Sequence, residues 1–380
     1  MRIAHVCLAG AYTEGMSYQD NMLVDINRRD GHEVLVVSDC MKFQDNRLVE
    51  TPPEDYLTAN GARLVRLPFD WTGPRYLTNK IKRCSRLMPL LEEFAPDVIL
   101  YHGVIGWELL TLGKYKEKYP ETRIYVDSHE DRHNSGTNWV SYTFQYRILT
   151  RWLIWRVQHQ IEKIFCISLE VRDFMKSVLD LPDEILEYYP LGGIVIPDEE
   201  RRHMRRKQRE LLGLADTDIL FFHSGKLDRK KRTLEILNAF RSIKASNARL
   251  LIAGSIEDDA RDLLEPAIAA DNRVIFLGWK GREDLSALMC AVDVYVQPGG
   301  QSVSLQHAIC SGLPVLVFPY PSHEPFLRGN GFFVRTEADM ADRMAEIAGA
   351  PENLPAMRTA SYEVAYDLLD YRKLAARIYQ

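Results

Sequence analysis

Short runs of β-branched and apolar residues recur along this chain between stretches of helical periodicity, and they do so in two successive series. The first comprises Ile3–Ala9, Glu33–Ser38, Arg63–Leu67, Val98–His102, Arg123–Asp127 and Ile164–Ser168. Most are apolar at consecutive positions, without strict alternation. That is the pattern of parallel strands covered on both faces by crossover helices, and it predicts a doubly wound α/β domain. The second series, Ile219–His223, Arg249–Ala253, Val274–Leu277, Val292–Gln297 and Val315–Phe318, predicts another domain of the same class. Pro190, Gly192, Gly193 and Pro197 punctuate the stretch between them and place a linker over about residues 189–200. With 380 residues, 46% apolar and 27% charged, the chain has the material for two folded domains, over 1–190 and 200–360. In the final segment, 361–380, Val364, Leu368, Tyr371, Leu374 and Ile378 fall at helical spacing and predict a closing helix with one apolar face.

A formal net charge of −5 argues against a general nucleic-acid binder, which needs an excess of Lys and Arg to neutralise phosphates. The run Arg201, Arg202, Arg205, Arg206, Lys207 and Arg209 is bracketed by Glu199, Glu200 and Glu210, and reads as a solvated helix face. Six scattered cysteines, with no CxxC pair and no histidine cluster at ligand spacing, read as buried thiols in a reducing compartment. The opening MRIAHVCLAG is too short an apolar run for a signal peptide, and no run is long enough to span a bilayer, so a cytoplasmic location is expected. The stretch FQYRILTRWLIWRVQHQIEK, with Tyr146, Trp152 and Trp155, reads either as core or as an amphipathic helix resting on the inner face of an anionic membrane.

Chemistry concentrates at two strand ends of the second series. In DVYVQPGGQSVSLQHAICSG a buried strand leads through a Gly-Gly loop into a helix beginning near Ser302. Glycines let backbone approach an anion closely and a helix N-terminus offers free N–H groups, so Gly299, Gly300, Gln301 and Ser302 can cradle a diphosphate. A plain strand-to-helix turn capped by Ser302 or Ser304 is the alternative. In ILFFHSGKLDRKKR the strand is expected to end at His223 or Ser224, with Gly225 then leading into Lys226, Arg229, Lys230, Lys231 and Arg232. Such cations beside a sheet edge suit a diphosphate and the charge it gains as a leaving group. At the end of the first strand, AGAYTEGMSYQDNML offers Gly15, Tyr18, Gln19, Asp20 and Asn21 as substrate contacts, or as helix-capping residues.

These residues carry a family resemblance. Gly225-Lys226-Leu227 with Lys231 resembles the G-R-L…K-G element of family-four (group 1) glycosyltransferases of the GT-B fold, with Lys226 in place of their arginine. RLLIAGS and VIFLGWKGREDLSALMCAVDVYVQP are similar to further segments of that family, as are GHEVLVVS, PDVILYHG, VDSHED and IEKIFCISLEV in the first half. The resemblance implies two Rossmann-like domains facing each other across a cleft. The C-terminal one would hold a nucleotide-sugar donor, UDP-sugar favoured, and the N-terminal one a saccharide or lipid-linked acceptor. The closing helix would pack back toward the N-terminal domain. Lys226 and Lys231 would hold the diphosphate, so that no metal or other cofactor is needed, and His129 of VDSHED would contact the donor sugar. Bacterial surface-polysaccharide assembly is the setting it suggests.

The family's two loop glutamates are missing: the first position falls on Pro298 and the second on Gln306. Gln306 remains able to bond ribose hydroxyls, and Glu324 in SHEPFLRGNGFF is a replacement carboxylate or a surface residue. Retention or inversion is left open by this loss. Two rival readings follow: a nucleotide-sugar epimerase on the same fold, enlisting His129, Asp131 and His133, or a non-catalytic partner subunit.

Overall fold

The computed structural model describes residues 1–16, 18–44, 47–132, 134–300 and 302–380. The chain divides into two compact units, one of Met1–Pro190 with Tyr371–Gln380 and the other of Leu191–Asp370.

The N-terminal unit contains strands β1 (Arg2–Cys7), β2 (Glu33–Ser38), β3 (Met41–Gln44), β4 (Arg47–Glu50), β5 (Glu54–Leu57), β6 (Arg63–Arg66), β7 (Val98–His102), β8 (Arg123–Ser128), β9 (Lys163–Cys166) and β10 (Leu186–Tyr188). Its helices are α1 (Gln19–Arg29), α2 (Arg75–Ile81), α3 (Leu87–Phe94), α4 (Glu108–Lys118), α5 (Arg151–Val157) and α6 (Leu169–Ser177), with a π-helical stretch, Ser141–Thr150, leading into α5. The sheet order is β10-β9-β8-β7-β1-β2-β6-β5, parallel except at the β5 edge. Because β1 sends its crossover to β2 while β7 lies on its other side, the loops after β1 and β7 part at a switch point. Besides the short β10, the β3–β4 hairpin and β5 are additions to the six strands read from the sequence. They are polar and largely exposed, so they lack the apolar signature of buried parallel strands.

In the C-terminal unit α7 (Asp198–Leu211) precedes β11 (Ile219–Leu227), α8 (Thr233–Ser242), β12 (Ala248–Ile256), α9 (Asp258–Ala269), β13 (Val274–Phe276), α10 (Arg282–Ala291), β14 (Val294–Gln297), α11 (Val303–Cys310), β15 (Val315–Val317), β16 (Gly331–Phe333), α12 (Glu337–Gly349) and α13 (Leu354–Val364). All six strands run parallel in the order β13-β12-β11-β14-β15-β16. Phe221, Leu250, Ile252, Val294 and Val296 form one face of the core, against Ile236, Phe240, Met340 and Met344 from α8 and α12.

Three sequence expectations change. Strand β11 does not stop at Ser224 but runs in register with β12 through Leu227, so Gly225 and Lys226 are strand residues. Gly225 pairs with Gly254, whose β-carbon, if it had one, would lie 1.8 Å from the Gly225 carbonyl oxygen. Two glycines face to face let the ladder continue where a side chain would stop it. The closing segment is not a single helix. A π-helical turn, Ala365–Leu369, follows α13, the backbone turns extended at Asp370 (φ −63°, ψ 112°), and α14 (Tyr371–Ala376) starts afresh. Val364 and Leu369 are buried in the C-terminal unit, whereas Tyr371, Leu374 and Ile378 pack with Ile3, Met22 and Val98 in the N-terminal one. One spacing over 364–378 thus serves two separate cores.

The arginine-rich helix is the third change, because α7 is not uniformly solvated: Arg201 and Arg209 are buried. Asp293 holds Arg209 and Arg205, each at 2.7 Å, and its Oδ2 also accepts the Leu220 N–H. Arg209 donates further to the Ala291, Ala215 and Asp218 carbonyls. A buried guanidinium stripped of its carboxylate is an uncompensated charge in low dielectric. Asp293→Ala is therefore expected to destabilise the C-terminal unit by about 3–5 kcal/mol, read as a lowered urea midpoint.

Candidate functional site

The C-terminal sheet reverses direction of growth between β11 and β14, so the loops leaving those neighbouring strands depart to opposite sides. Crevices at such points are where open α/β sheets bind ligands. The β11 side ends in Lys226 and a turn over Arg229–Lys231; the β14 side ends in Pro298, Gly299 and Gly300 before α11. The two meet through Gly299, where a β-carbon would lie 3.0 Å from the Lys230 carbonyl oxygen and 3.2 Å from Lys231 Cα. A side chain at Gly299 would have to push these backbones apart by a few tenths of an ångström. Ser302 caps α11, its hydroxyl accepting the Leu305 N–H at 3.3 Å, with the helix's first amides beside the Gly-Gly loop. Gln301 lies outside the described residues.

The two lysines differ. Lys226 is 67% exposed and its Nζ pairs with Glu257 at 3.1 Å. The Lys231 stem passes over Gly225, 3.6 Å from where a β-carbon would stand, and burial lowers its pKa against a smaller opposing pull from Asp228. Among the described residues no carboxylate lies within ion-pair distance of Lys231 Nζ, whereas Arg232 pairs with Glu235 and covers the Phe318 ring.

Beneath the crevice lies a buried polar cluster that the sequence reading did not single out. The Tyr295 hydroxyl lies 3.2 Å from Ser224 Oγ and 3.4 Å from Gln297 Oε1, and Gln297 Nε2 donates to the Gly300 carbonyl at 3.0 Å. His223 donates from Nδ1 to the Val296 carbonyl at 2.8 Å, so Nε2 is left to accept from Thr233 Oγ1 at 3.1 Å. That tautomer is neutral, and burial holds the His223 pKa down to about 4. Polar residues in otherwise apolar strands, FFHS and VYVQ, were the available signal.

Gln306 is turned the other way. It is fully buried, its Oε1 accepts the Gly192 N–H at 2.7 Å, and its Nε2 has no partner among the described residues. The structure therefore places its acceptor atom on the linker backbone. Glu324 is exposed on a 3₁₀ turn, Pro321–Phe326.

In the N-terminal unit His129 follows β8, 46% exposed, with Nε2 3.7 Å from Asp127 Oδ1. Asp127 Oδ2 is 2.5 Å from His102 Nδ1, His102 Nε2 is 3.0 Å from His5 Nδ1, and His5 Nε2 donates to Asn27 Oδ1 at 2.8 Å. With Asn27 accepting, His5 is an acceptor at Nδ1, and His102 donates at both ends as an imidazolium. Burial holds the His5 pKa down to about 3, while Asp127 outweighs burial to raise that of His102. His5 and His102 were missed by the sequence reading, although a histidine inside the apolar run IAHVC was a usable signal. His133 lies outside the described residues, and Asp131 bonds Asn134 in the loop.

Two polar side chains that follow the first loop bond backbone within the N-terminal unit. Tyr18 is the N-cap residue of α1, Asn21 donates to the Thr13 carbonyl at 2.9 Å, and Gln19 donates to the Pro190 carbonyl at 2.9 Å. Gly15, at φ +75°, has open space around it. Among the described residues no three His, Cys, Asp or Glu side chains converge to hold a metal ion, and no helix is long and apolar enough to cross a membrane.

Two buried histidines of the C-terminal unit, His223 and His307, both have pKa values held down to about 4. The unfolded chain, with histidines near 6.5, binds more protons between pH 4 and 6.5, so stability is present above that window and lost as pH falls through it. The unfolding free energy is expected to fall by about 1–2 kcal/mol per histidine between pH 6.5 and 5, read as a lowered urea midpoint, and His223→Gln should flatten the dependence.

Comparison with known proteins follows this geometry. Residues 218–349 match the family model described as glycosyl transferases group 1. No protein of curated function matches the chain by sequence. Among solved structures, sucrose-phosphate synthase from Thermosynechococcus elongatus superposes with a TM-score of 0.72 at 15% identity, over 99% of this chain and 96% of that one. HepE from Anabaena, in complex with UDP, gives 0.69 at 15% identity, over 100% and 98%. WaaG, a glycosyltransferase involved in lipopolysaccharide biosynthesis, gives 0.64 at 17% identity, over 99% of each chain. Residues 218–349 thus resemble the group 1 glycosyl transferases, in a chain whose fold is that of the GT-B glycosyltransferases.

Proposed function

We propose that this chain transfers a hexosyl group from a UDP-sugar to a hydroxyl of a saccharide or lipid-linked acceptor, without a divalent cation, in surface-polysaccharide assembly. The bond from the sugar's anomeric carbon to the β-phosphate oxygen breaks, a bond to the acceptor oxygen forms, and UDP and the acceptor's proton are released. The observation that carries the reading is Lys231: a desolvated ammonium, without a carboxylate partner among the described residues, whose backbone is held against the Gly299 loop that leads into α11. Cationic and backbone donors fixed in place before the reaction stabilise charge on a leaving diphosphate, the work a metal does elsewhere. The nucleotide choice is supported by HepE, whose structures hold UDP and UDP-glucose, and the setting by WaaG. His129 would contact the donor sugar, with Asp127 beside it.

Membrane-bound acceptors are supported by the surface around α5. Residues 135–160 contain no Asp or Glu, in a chain of net charge −5, and carry Arg147, Arg151 and Arg156. Trp139, Val140, Phe144, Ile148, Trp152 and Trp155 are exposed there, while Tyr146 is core. Apolar and aromatic groups among cations suit an anionic interface. Flotation with vesicles should recover the protein on anionic phosphatidylglycerol and not on phosphatidylcholine, and Trp139→Ser with Trp152→Ser should reduce recovery. Equal recovery on both lipids, or none, would remove this part of the proposal.

Calorimetric titration with UDP, GDP and ADP in EDTA tests the donor site. UDP is expected to bind, and Lys231→Ala to weaken it about 10- to 100-fold, the worth of a charge-assisted contact. Lys226→Ala, on an exposed and already paired cation, should cost less, under about ten-fold. UDP binding that requires Mg²⁺, or that ignores Lys231→Ala, would sink the reading. Binding of none of the nucleotides would favour a non-catalytic partner subunit.

A further inference from the structure

The N-terminal unit contains a cavity of about 740 Å³ at the carboxyl ends of β1, β2 and β6, lined wholly by residues of that unit. Its volume is that of a small-molecule site, roughly 300–1,000 Å³. One wall is aromatic: Phe69 and Trp71 follow β6, and Trp71 stands 86% exposed, with no ring or cation stacked on it among the described residues. The other walls are polar, with Asp39 after β2 and Asn79 and Lys82 at the end of α2.

The charges in this cavity are already engaged. Lys82 Nζ donates to the Leu8 and Ala9 carbonyls at 3.2 and 3.0 Å, which leaves it one donor, and Arg75 pairs with Glu50 at 3.1 Å. Asp39 accepts the Met41 N–H at 3.2 Å through one oxygen and keeps further acceptor capacity. A phosphate or carboxylate entering here would meet Asp39 and Glu50, with Arg75 already paired and a single Lys82 donor to offset them. A hydroxyl-rich neutral ring meets acceptors and donors that it can satisfy, and a broad apolar face for its C–H surface.

We propose that this cavity seats the neutral sugar end of the acceptor, its ring laid on Trp71 and its hydroxyls bonded to Asp39, Asn79 and Lys82. The proposal rests on the transferase reading and gives it a substrate class: an acceptor whose terminal residue bears no phosphate or carboxylate. The cavity also adjoins the cationic aromatic surface, since Lys80 of α2 donates to Gln145 in the π-helical stretch at 2.8 Å. A lipid-linked saccharide can therefore enter with its carrier at that surface.

Saturation-transfer NMR on the full chain tests this, with methyl glucoside, methyl mannoside and maltose as neutral probes and glucuronic acid and glucose 6-phosphate as anionic ones. UDP is titrated by calorimetry in parallel. At least one neutral probe is expected to bind, about ten-fold or more tighter than its anionic counterpart. Trp71→Ala should weaken it at least about ten-fold with UDP affinity unchanged. Because Trp71 is exposed, that variant keeps the fold, and Asp39→Asn provides a second probe of the same cavity. Anionic probes binding as well as neutral ones, or Trp71→Ala binding unchanged, overturns the proposal. UDP binding with no neutral probe bound overturns the cavity and leaves the donor site standing. Neutral probes bound through Trp71 without UDP binding uphold the cavity and remove the donor reading.

Discussion

The close approach of Gly299 to the backbone of Lys230 and Lys231 is the contact on which the C-terminal site depends. It brings the loop after β14 against the turn after β11 and so joins a helix N-terminus, a pair of glycines and a desolvated cation in one place. The cluster beneath it fixes the geometry: His223 ties the end of β14 to the start of α8, and Gln297 ties β14 to Gly300. Neutral histidine is essential to that arrangement, because a proton on Nε2 would turn the acceptor from Thr233 into a second donor. The meeting of the two loops above thus rests on a neutral hydrogen-bond network below.

The N-terminal unit follows the same plan with different chemistry. Its switch point, between β1 and β7, is filled by the His5–His102–Asp127 chain. Here His102 and Asp127 are ionised and paired beside a neutral His5, where the cluster under the C-terminal sheet is neutral throughout. A buried ion pair with its hydrogen bonds satisfied costs desolvation but holds its members in one orientation. His129, next to Asp127, is the member of this group that reaches solvent.

That two loops would gather glycines and cations at the strand ends was legible because glycine placement and charge leave local marks. A Gly-Gly loop between strand and helix, and lysines beside a strand end, are marks of that kind, and Lys231, Gly299 and Ser302 were read from them. Which lysine is buried was not legible, since Lys226 and Lys231 differ in burial through strand register and a facing glycine distant in sequence. Gln306, at the family's second glutamate position, was read as able to bond ribose hydroxyls; its carbonyl oxygen accepts from Gly192, a partner 114 residues away. The arginines of α7 look solvated until Asp293, on another element, is brought beneath them. His5 and His102 gained meaning only once two strands lay side by side.

The sequence by itself determined the class of fold, the two-fold repetition of that class and the strand ends where chemistry collects. Each of these follows from local hydrophobic pattern, glycine placement and charge, which neighbours in sequence carry together. Tertiary structure alone decided where β11 ends, how one closing apolar stripe divides between two cores, which charges are paired, and that a cavity with Trp71 at its rim exists. Each of those is set by groups far apart in the chain meeting in low dielectric or at van der Waals distance, and no local pattern records such a meeting.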